Sequence, residues 1–296
     1  MKKILLLGAI CTMFCAMSCS EDIYDEIEKG PMVSFNVTAG DESSRAYGEG
    51  TQATSLKYSV YDSNGKELEL LRGDTTIQLS TQINIKLANG DTFYILFWAD
   101  NDEAPYTVDF ATKQMTIDYT DIKANNENHD AFYRLYGPFK VTGSESHDVE
   151  LYRPFSQVNI LTSDKEYASN TGMDVETTEF EMEVYTTLDL WTGECMDEQT
   201  RVFSHANCPV GKVTIDSVEH DYLAMNYLLV AKDKTLKEVK CRYKDIVRNI
   251  ELERKFGSVP VERNYKTNIY GPLLTKDATF KVEIKPAFPG THNEPR

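Results

Sequence analysis

Apolar and polar residues alternate along most of the chain after Pro31. Val33, Phe35 and Val37 alternate with polar neighbours at the start of this region. Successive side chains of a β-strand point to opposite faces of a sheet, so this alternation predicts strands with one buried face. The same period recurs in four later segments, at residues 56–60, 83–87, 180–184 and 280–284. Long stretches with a helical period are missing, and the pattern therefore predicts an all-β chain.

The predicted strands are short and are separated by turn signals. The sequences Asp62-Ser63-Asn64-Gly65 and Asn89-Gly90-Asp91 favour reversal of the chain. Residues 93–98 form a continuous apolar run of strand length, which is typical of a central strand covered on both faces. Residues 131–136 fit either a strand or a short helix. Many short strands with regular turns indicate a β-sandwich or a β-barrel.

Two halves of the chain resemble each other, which is the main sequence indication of domain structure. Residues 90–100 are similar to residues 220–233, and residues 153–160 are similar to residues 263–269. An internal duplication explains the similarity, and so does a chance likeness between apolar strands.

A polar segment at residues 163–178 contains Gly172 and has no apolar alternation, so it is predicted to be a linker. The predicted sandwich domains are residues 31–162 and residues 179–296. A chain of 296 residues, 41% of them hydrophobic, is long enough for two hydrophobic cores.

The N-terminus has the layout of a bacterial export signal. Lys2 and Lys3 precede an apolar core at residues 4–14, and small residues follow. The apolar segment is shorter than the roughly 20 residues that cross a bilayer. The sequence therefore predicts a cleaved signal peptide at residues 1–18.

Cys19 directly follows the sequence Ala16-Met17-Ser18, which resembles the lipobox of bacterial lipoproteins. We therefore predict lipid attachment to Cys19 and an acidic tether at residues 19–30. An ordinary secretory signal with an incidental cysteine is the alternative, and it also exports the chain.

The chain is acidic, with 31 Lys and Arg against 47 Asp and Glu and a formal net charge of −16. Removal of residues 1–18 takes away two lysines and no acid, so the charge becomes −18. Such a surface repels nucleic acid, and a nucleic-acid partner is excluded.

Recognisable catalytic motifs are missing from the sequence. None of the five histidines lies three to five residues from another, and there is no Gly-x-Ser-x-Gly elbow or Gly-rich phosphate loop. We predict that the protein is not an enzyme and has no cofactor or metal site. The sequence Asp100-Asn101-Asp102-Glu103 is the one cluster of oxygen ligands for Ca²⁺, but it lacks the glycine and distal glutamate of an EF-hand loop, which favours a solvated turn.

Three cysteines, Cys195, Cys208 and Cys241, lie in the predicted second domain. Their spacing fits no zinc motif. A disulfide between Cys195 and Cys208 in the periplasm would leave Cys241 as a small buried residue, and an absence of disulfides is the alternative.

The two tryptophans differ in context. Trp98 belongs to the continuous apolar run, whereas Trp191 precedes Thr192-Gly193 and lies near a turn. Trp191 is therefore the candidate for contact with a glycan through an exposed ring, with core packing as the alternative for both residues.

Arg45 and Ala46 lie in a polar, Gly-rich segment at residues 39–54, directly after the first predicted strand at residues 32–38. A basic residue in such a loop is accessible to a trypsin-like protease. Cleavage after Arg45 would release the first strand and leave an open sheet edge for strand addition. An ordinary loop arginine is the alternative.

Several of these segments resemble the fimbrillin-like lipoproteins of Bacteroides-type bacteria, the subunits of type V pili and their relatives. The likeness rests on the lipobox at Cys19, on Ser44-Arg45-Ala46, and on residues 53–62, 152–159 and 259–271. The last segment, VPVERNYKTNIYG, is the most specific.

This resemblance implies two tandem transthyretin-like antiparallel β-sandwich domains and lipid-dependent export to the outer membrane and the cell surface. It also implies cleavage after Arg45 and assembly with other fimbrial subunits through donor-strand exchange. Residues 278–288 alternate as a donor strand requires. Prolines near the C-terminus pair poorly in sheets and favour a terminal, accessory or non-polymerising subunit.

The sequence thus predicts a structural or adhesive fimbrial subunit, anchored in the membrane through Cys19, that contacts host or bacterial surface glycans or proteins. The alternative is a lipid-anchored glycan-binding module of a nutrient-uptake system, which would use exposed aromatic residues such as Trp191.

Overall fold

The computed structural model describes residues 18–39, 53–120, 122, 124–275 and 279–286. Strands dominate this part of the chain, and the all-β class is confirmed. The strands are β1 Met32–Ala39, β2 Ser55–Asp62, β3 Gly73–Thr76, β4 Ser80–Lys86, β5 Thr92–Asp100, β6 Tyr106–Asp109, β7 Gln114–Ile117, β8 Phe132–Lys140, β9 Ser146–Leu151, β10 Phe155–Thr162, β11 Thr177–Asp189, β12 Cys195–Ala206, β13 Lys212–Ile215, β14 Val218–Leu229, β15 Thr235–Asp245, β16 Ile250–Val261, β17 Tyr265–Gly271 and β18 Lys281–Pro286.

Two short α-helices accompany the strands, α1 at Ser18–Lys29 and α2 at Lys165–Asn170. Ile27 of α1 is buried, and the helix is followed by Gly30, where a Cβ atom would lie 1.9 Å from the Leu87 carbonyl oxygen. Glycine therefore permits this close approach of the chain to the turn after β4. None of the helices in the described ranges has the length and apolar character to cross a bilayer.

The strands form four sheets. In strand order, sheet 1 is β4-β1-β9, sheet 2 is β3-β2-β5-β8, sheet 3 is β13-β14-β10-β17-β18, and sheet 4 is β16-β15-β11-β7-β6 with β12 also paired to β11. Sheets 1 and 2 enclose one cluster of buried apolar side chains, the first core. Sheets 3 and 4 contribute most of a larger cluster, the second core.

Strand β5 is covered on both faces, as its continuous apolar sequence predicts. Phe93, Ile95 and Phe97 belong to the first core, whereas Leu96 and Trp98 belong to the second core. Because successive side chains of a strand alternate between faces, β5 packs against both cores. Sheet 2 is therefore the layer that joins them.

The strand pairing groups two segments differently from the predicted boundary at residue 162. Strands β6 and β7 belong to sheet 4, where β7 pairs with β11. Strand β10 lies between β14 and β17 in sheet 3, so it pairs with later strands and not with those of residues 31–151. The predicted linker at residues 163–178 contains α2 and the first residues of β11. Alternation in a sequence identifies a strand and its buried face but not its partner strands, which explains the difference. The division into two domains stays a prediction.

Sheets 1 and 3 repeat the same pairing. Strand β1 pairs antiparallel with β4 and parallel with β9, and β10 pairs antiparallel with β14 and parallel with β17. The similar sequences are not equivalent in this repeat, because β5 lies in sheet 2 while β14 lies in sheet 3. The second pair of similar sequences, residues 153–160 and 263–269, is not equivalent either, because β10 and β17 are neighbours in one sheet with Ile160 paired to Ile269.

A buried ion pair lies where the two cores meet. The Arg153 Nε and Nη2 atoms donate to the two Asp130 carboxylate oxygens at 2.7 and 2.8 Å, and both side chains are almost fully buried. The guanidinium also lies 4.4 Å from the centre of the Phe132 ring, which belongs to the first core. The pair thus connects the loop before β8 to the start of β10.

His205 is a buried histidine whose titration affects stability. Its Nε2 lies 3.1 Å from Asn226 Oδ1, and its Nδ1 lies 3.3 Å from the Thr178 carbonyl oxygen. Burial lowers the pKa of His205 from 6.5 to about 4. Below pH 6.5 His205 of the unfolded chain takes up a proton, whereas His205 of the folded protein takes one up only near pH 4. The contribution of this group to the free energy of unfolding is therefore complete above pH 6.5 and is lost as the pH falls towards 4.

We expect His205→Gln to remove this part of the pH dependence, which amounts to about 3 kcal/mol. Urea denaturation of both proteins, at pH values on each side of the window, measures it. An unchanged slope of unfolding free energy against pH in the variant would show that other groups are responsible.

Candidate assembly site

The first strand is the central strand of sheet 1. On one side β1 pairs with β4, from Met32 opposite Lys86 to Thr38 opposite Ser80. On the other side it pairs with β9, from Ser34 opposite Ser146 to Ala39 opposite Leu151. Both backbone edges of β1 are therefore occupied by hydrogen-bonded neighbours. Its removal would separate β4 from β9 and expose an edge of each.

The inward side chains of β1 form a row in the first core. Val33, Phe35 and Val37 are each 0% exposed, and Ala39 is 3% exposed. They alternate with the half-buried Ser34, as the sequence pattern predicts. Burial of apolar area on one face is the main force that holds the strand in place.

Phe35 is the centre of an aromatic cluster. Its ring centre lies 5.6 Å from that of Phe139, 6.0 Å from Tyr136 and 6.1 Å from Phe97, and the His147 ring stacks on it at 5.3 Å. Tilted and edge-on contacts at these separations are favourable beyond their area alone. Phe35 is thus the main anchor of β1.

Polar side chains join the outer face of the same strand to both neighbours. Asn36 donates to Asp148 Oδ1 at 2.8 Å and accepts from Gln82 Nε2 at 2.9 Å. Ser34 donates to Asn84 Oδ1 at 2.7 Å. Because these contacts are exposed to solvent, they contribute little to stability. They favour the observed register of β1 against β4 and β9.

The predicted processing residues follow this strand directly. Arg45 and Ala46 lie outside the described residues, which stop at Ala39 and resume at Ala53. Cys19 lies within α1, but its side chain is also outside the description. Cleavage after Arg45 and lipid attachment to Cys19 therefore stay predictions.

Among the strands that the structure describes, the C-terminal strand β18 lies at the edge of sheet 3 and pairs with β17 alone. Val282 and Ile284 are half-buried, and Phe280 is 44% exposed with its ring 4.9 Å from that of Phe256. This strand is less buried than β1, so its detachment costs less. Most of the predicted donor segment, residues 278–288, lies within the described part.

Trp191 is half-buried in a set of contacts that the sequence did not predict. Its ring centre lies 4.9 Å from that of Tyr94 and 5.3 Å from that of Tyr61. The Lys113 ammonium lies 4.7 Å from the ring centre. These contacts fit a tryptophan packed in the protein better than a ring that is open for stacking on a sugar. A direct contact between Trp191 and a glycan stays a prediction.

The remaining candidates have structural roles. The Asp100 carboxylate is buried, accepts from Trp98 Nε1 at 2.8 Å and pairs with Lys57 at 3.2 Å. Burial raises its pKa, and these two partners oppose the rise. Asn101 Oδ1 accepts from the backbone of Glu103, as in a polar turn. In the described part of the chain, no group of three or more His, Cys, Asp or Glu is placed to bind a metal ion.

Cys195, Cys208 and Cys241 are all free thiols. Cys195 is the first residue of β12, which has 12 residues, and Cys208 lies two residues beyond the end of that strand. An extended strand of that length spans about 40 Å, whereas a disulfide requires Cα atoms within about 7 Å. A Cys195–Cys208 disulfide, one of the two alternatives that the sequence leaves open, is therefore incompatible with this fold.

Strand β9 and His147 are parts of the site that the sequence did not indicate. The parallel pairing of β1 with β9 joins segments more than 100 residues apart, and no local pattern specifies such a partner. The alternation at Val149 and Leu151 would have predicted a strand, but not its position beside β1.

The profile of one protein family, described as a family of unknown function (DUF6562), matches residues 31–295. The chain belongs to the DUF6562 family. The match begins where the predicted tether ends. No curated protein is significantly similar to this DUF6562 protein.

Solved structures share the fold of the DUF6562 protein at low sequence identity. A candidate adhesin from Bacteroides thetaiotaomicron has a TM-score of 0.52 at 10% identity, over 87% of this chain and 97% of its own. A candidate polysaccharide-binding protein from the same organism has a TM-score of 0.52 at 12% identity, over 86% and 98%. A fimbrial assembly protein from Parabacteroides distasonis has a TM-score of 0.50 at 12% identity, over 86% and 98%. These likenesses confirm that the chain has the fold of the fimbrial and adhesin-type proteins that it resembles in sequence.

Proposed function

We propose that this DUF6562 protein is a cell-surface lipoprotein that serves as a structural or adhesive subunit of a fimbrium and assembles by strand addition after cleavage at Arg45. The observation that carries the proposal is the position of β1. The strand fills the centre of sheet 1, and the segment at residues 40–54, which contains Arg45, links it to β2, the next strand in the described part of the chain.

Release of β1 would create a site that demands a replacement strand. The facing edges of β4 and β9 would carry unpaired backbone N–H and C=O groups, and the pockets that hold Val33, Phe35 and Val37 would be open to water. Buried backbone groups without partners and exposed apolar grooves are both unfavourable. An extended segment with the same apolar period would restore both kinds of contact.

The C-terminal segment of a second copy or of another subunit has the required period. Phe280, Val282 and Ile284 alternate as Val33, Phe35 and Val37 do. In this chain β18 pairs with its own β17, so donation requires its detachment. A subunit that accepts a strand but keeps β18 in place would end a fibre, which agrees with a terminal or accessory role.

The fold relatives support a surface role, since they include a fimbrial assembly protein and a candidate adhesin. The lipid on Cys19 would deliver the chain to the outer membrane and would leave with α1 and β1 after cleavage. The contacts of a fimbrial subunit, and not a catalytic reaction, would then be the activity of the protein.

Digestion of the purified protein with an arginine-specific protease tests the proposal. We expect release of the segment that ends at Arg45, followed by species larger than the monomer in size-exclusion chromatography. Added peptide of residues 32–39 should suppress those species, because it refills the groove.

Two variants control for cleavage elsewhere. Arg45→Gln should remain monomeric, whereas Arg72→Gln, at an arginine whose side chain is 44% exposed, should behave as the wild type does. Retention of β1 after complete cleavage at Arg45, or release without any larger species, would contradict assembly by strand addition.

A further inference from the structure

A cleft of about 460 Å³ lies between strand β8 and two turns that follow β11 and β14. Its lining includes Arg134 and Tyr136 of β8, Trp191 of the first turn and Lys232 of the second. None of the lining residues is an acid, although the chain has 47 Asp and Glu against 31 Lys and Arg. The cleft is therefore a basic site on an acidic protein, which attracts anions.

Arg134 is held in place by one side of its guanidinium group. The Nη1 atom donates to the Glu150 carbonyl oxygen at 3.0 Å and to the Tyr152 hydroxyl at 3.3 Å. The guanidinium carbon lies 5.3 Å from the centre of the Tyr152 ring and 5.8 Å from that of Tyr136. Within the described residues the Nε and Nη2 atoms have no hydrogen-bond partner. Those two donors have the spacing that binds both oxygens of a carboxylate.

The rest of the lining fits a sugar ring. Tyr136, Phe139 and Trp191 are half-buried and supply aromatic surface, and the contact of Trp191 with Tyr94 fixes its position. Pockets of a few hundred Å³ that combine aromatic side chains with a few polar groups are typical of small-ligand sites.

The edge of β8 disfavours an extended peptide as the occupant. Strand β8 is the last strand of sheet 2, and its exposed edge contains Pro138, which has no backbone N–H to donate. A peptide strand would therefore lose part of its pairing there. A ligand held by side chains does not depend on that edge.

We propose that this cleft binds an acidic saccharide through a bidentate contact between Arg134 and a sugar carboxylate. Tyr136 and Tyr152 orient the guanidinium, and Lys232 lies at the rim, where it adds positive charge. None of the residues that line the cleft belongs to β1, but Tyr136 and Phe139 pack against Phe35 of β1, so the site is tested in protein that retains this strand.

Calorimetric titration of the uncleaved protein tests this site. The probes are tri-galacturonic acid, neutral galactotriose, a sulfated galactose oligosaccharide and a tri-glutamate peptide. We expect binding of the galacturonate, weaker binding of the sulfated sugar, and no binding of the neutral sugar or the peptide.

Arg134→Gln should weaken galacturonate binding about tenfold to hundredfold, as expected for a lost charge-assisted pair of hydrogen bonds. Arg134→Lys keeps the charge but not the paired donors, so its affinity should fall between those of the wild type and Arg134→Gln. Arg242→Gln, in the ion-pair network of sheet 4, is the matched control and should bind as the wild type does. Thermal melts confirm that each variant is folded.

Equal binding of acidic and neutral sugars, an unchanged affinity in Arg134→Gln, or no binding of any acidic saccharide at millimolar concentration would overturn the proposal. Preferential binding of the peptide would replace a saccharide ligand with an acidic protein segment. Because the uncleaved protein is used, none of these results depends on whether strand addition occurs.

Discussion

Replacing Phe35 with alanine is expected to lower the free energy of unfolding by about 3–5 kcal/mol. The side chain is 0% exposed and lies within 6.1 Å, between ring centres, of the aromatic residues around it. Its removal loses both apolar burial and ring contacts, and the backbone pairing of β1 on both sides limits the collapse of the cavity. Urea denaturation monitored by tryptophan fluorescence measures the change.

Met32→Ala on the same strand is the matched control. Its side chain is 43% exposed, so the expected loss is within about 0.5 kcal/mol. In digestion after Arg45, Phe35→Ala should also release β1 faster than the wild type, whereas Met32→Ala should not. Equal losses of stability for the two variants would show that Phe35 does not anchor the strand.

Much of the fold follows from local sequence pattern, because alternation records which face of a strand is buried. The apolar side chains of β1 and β5 lie where that pattern places them. Pairing between distant strands leaves no such local record. The position of β10 between β14 and β17, and of β9 beside β1, depends on contacts across 59 residues or more. Sequence alternation is the same whichever partner is chosen.

The candidate site was predictable in part for the same reason. The apolar period of β1 predicted a buried first strand, and the loop arginine after it suggested where that strand could be released. The stacking of His147 on Phe35 and the open donors of Arg134 depend on the approach of strands that are distant in sequence. Trp191 shows the converse case, since a tryptophan beside a turn signal can still pack against Tyr61 and Tyr94.

Replacing Asp130 with alanine is expected to destabilise the protein by about 3–5 kcal/mol, because the variant leaves the Arg153 guanidinium charged in a buried position. The two side chains are 0% and 2% exposed. Loss of a partner in such a pair costs more than the net value of the pair itself, since the remaining charge keeps its desolvation penalty.

A double variant and a surface control separate the cost of the unpaired buried charge from the net value of the ion pair. Asp130→Leu with Arg153→Met removes both charges, and we expect it to be markedly more stable than Asp130→Ala. Glu219→Gln breaks an exposed ion pair, in which the Lys212 and Glu219 side chains are 57% and 61% exposed. This variant should lower the free energy of unfolding by less than about 1 kcal/mol.

The position of the Arg153–Asp130 pair adds a second readout. The pair joins the loop before β8 to the start of β10, and the guanidinium packs on Phe132 of the first core. If it couples the two cores, the wild type should unfold in one transition, and Asp130→Ala should unfold in two. Calorimetry distinguishes the cases by comparing the calorimetric with the van't Hoff enthalpy. A single transition with a loss below about 1 kcal/mol in Asp130→Ala would mean that water replaces the lost carboxylate, and that the junction is held by its apolar contacts alone.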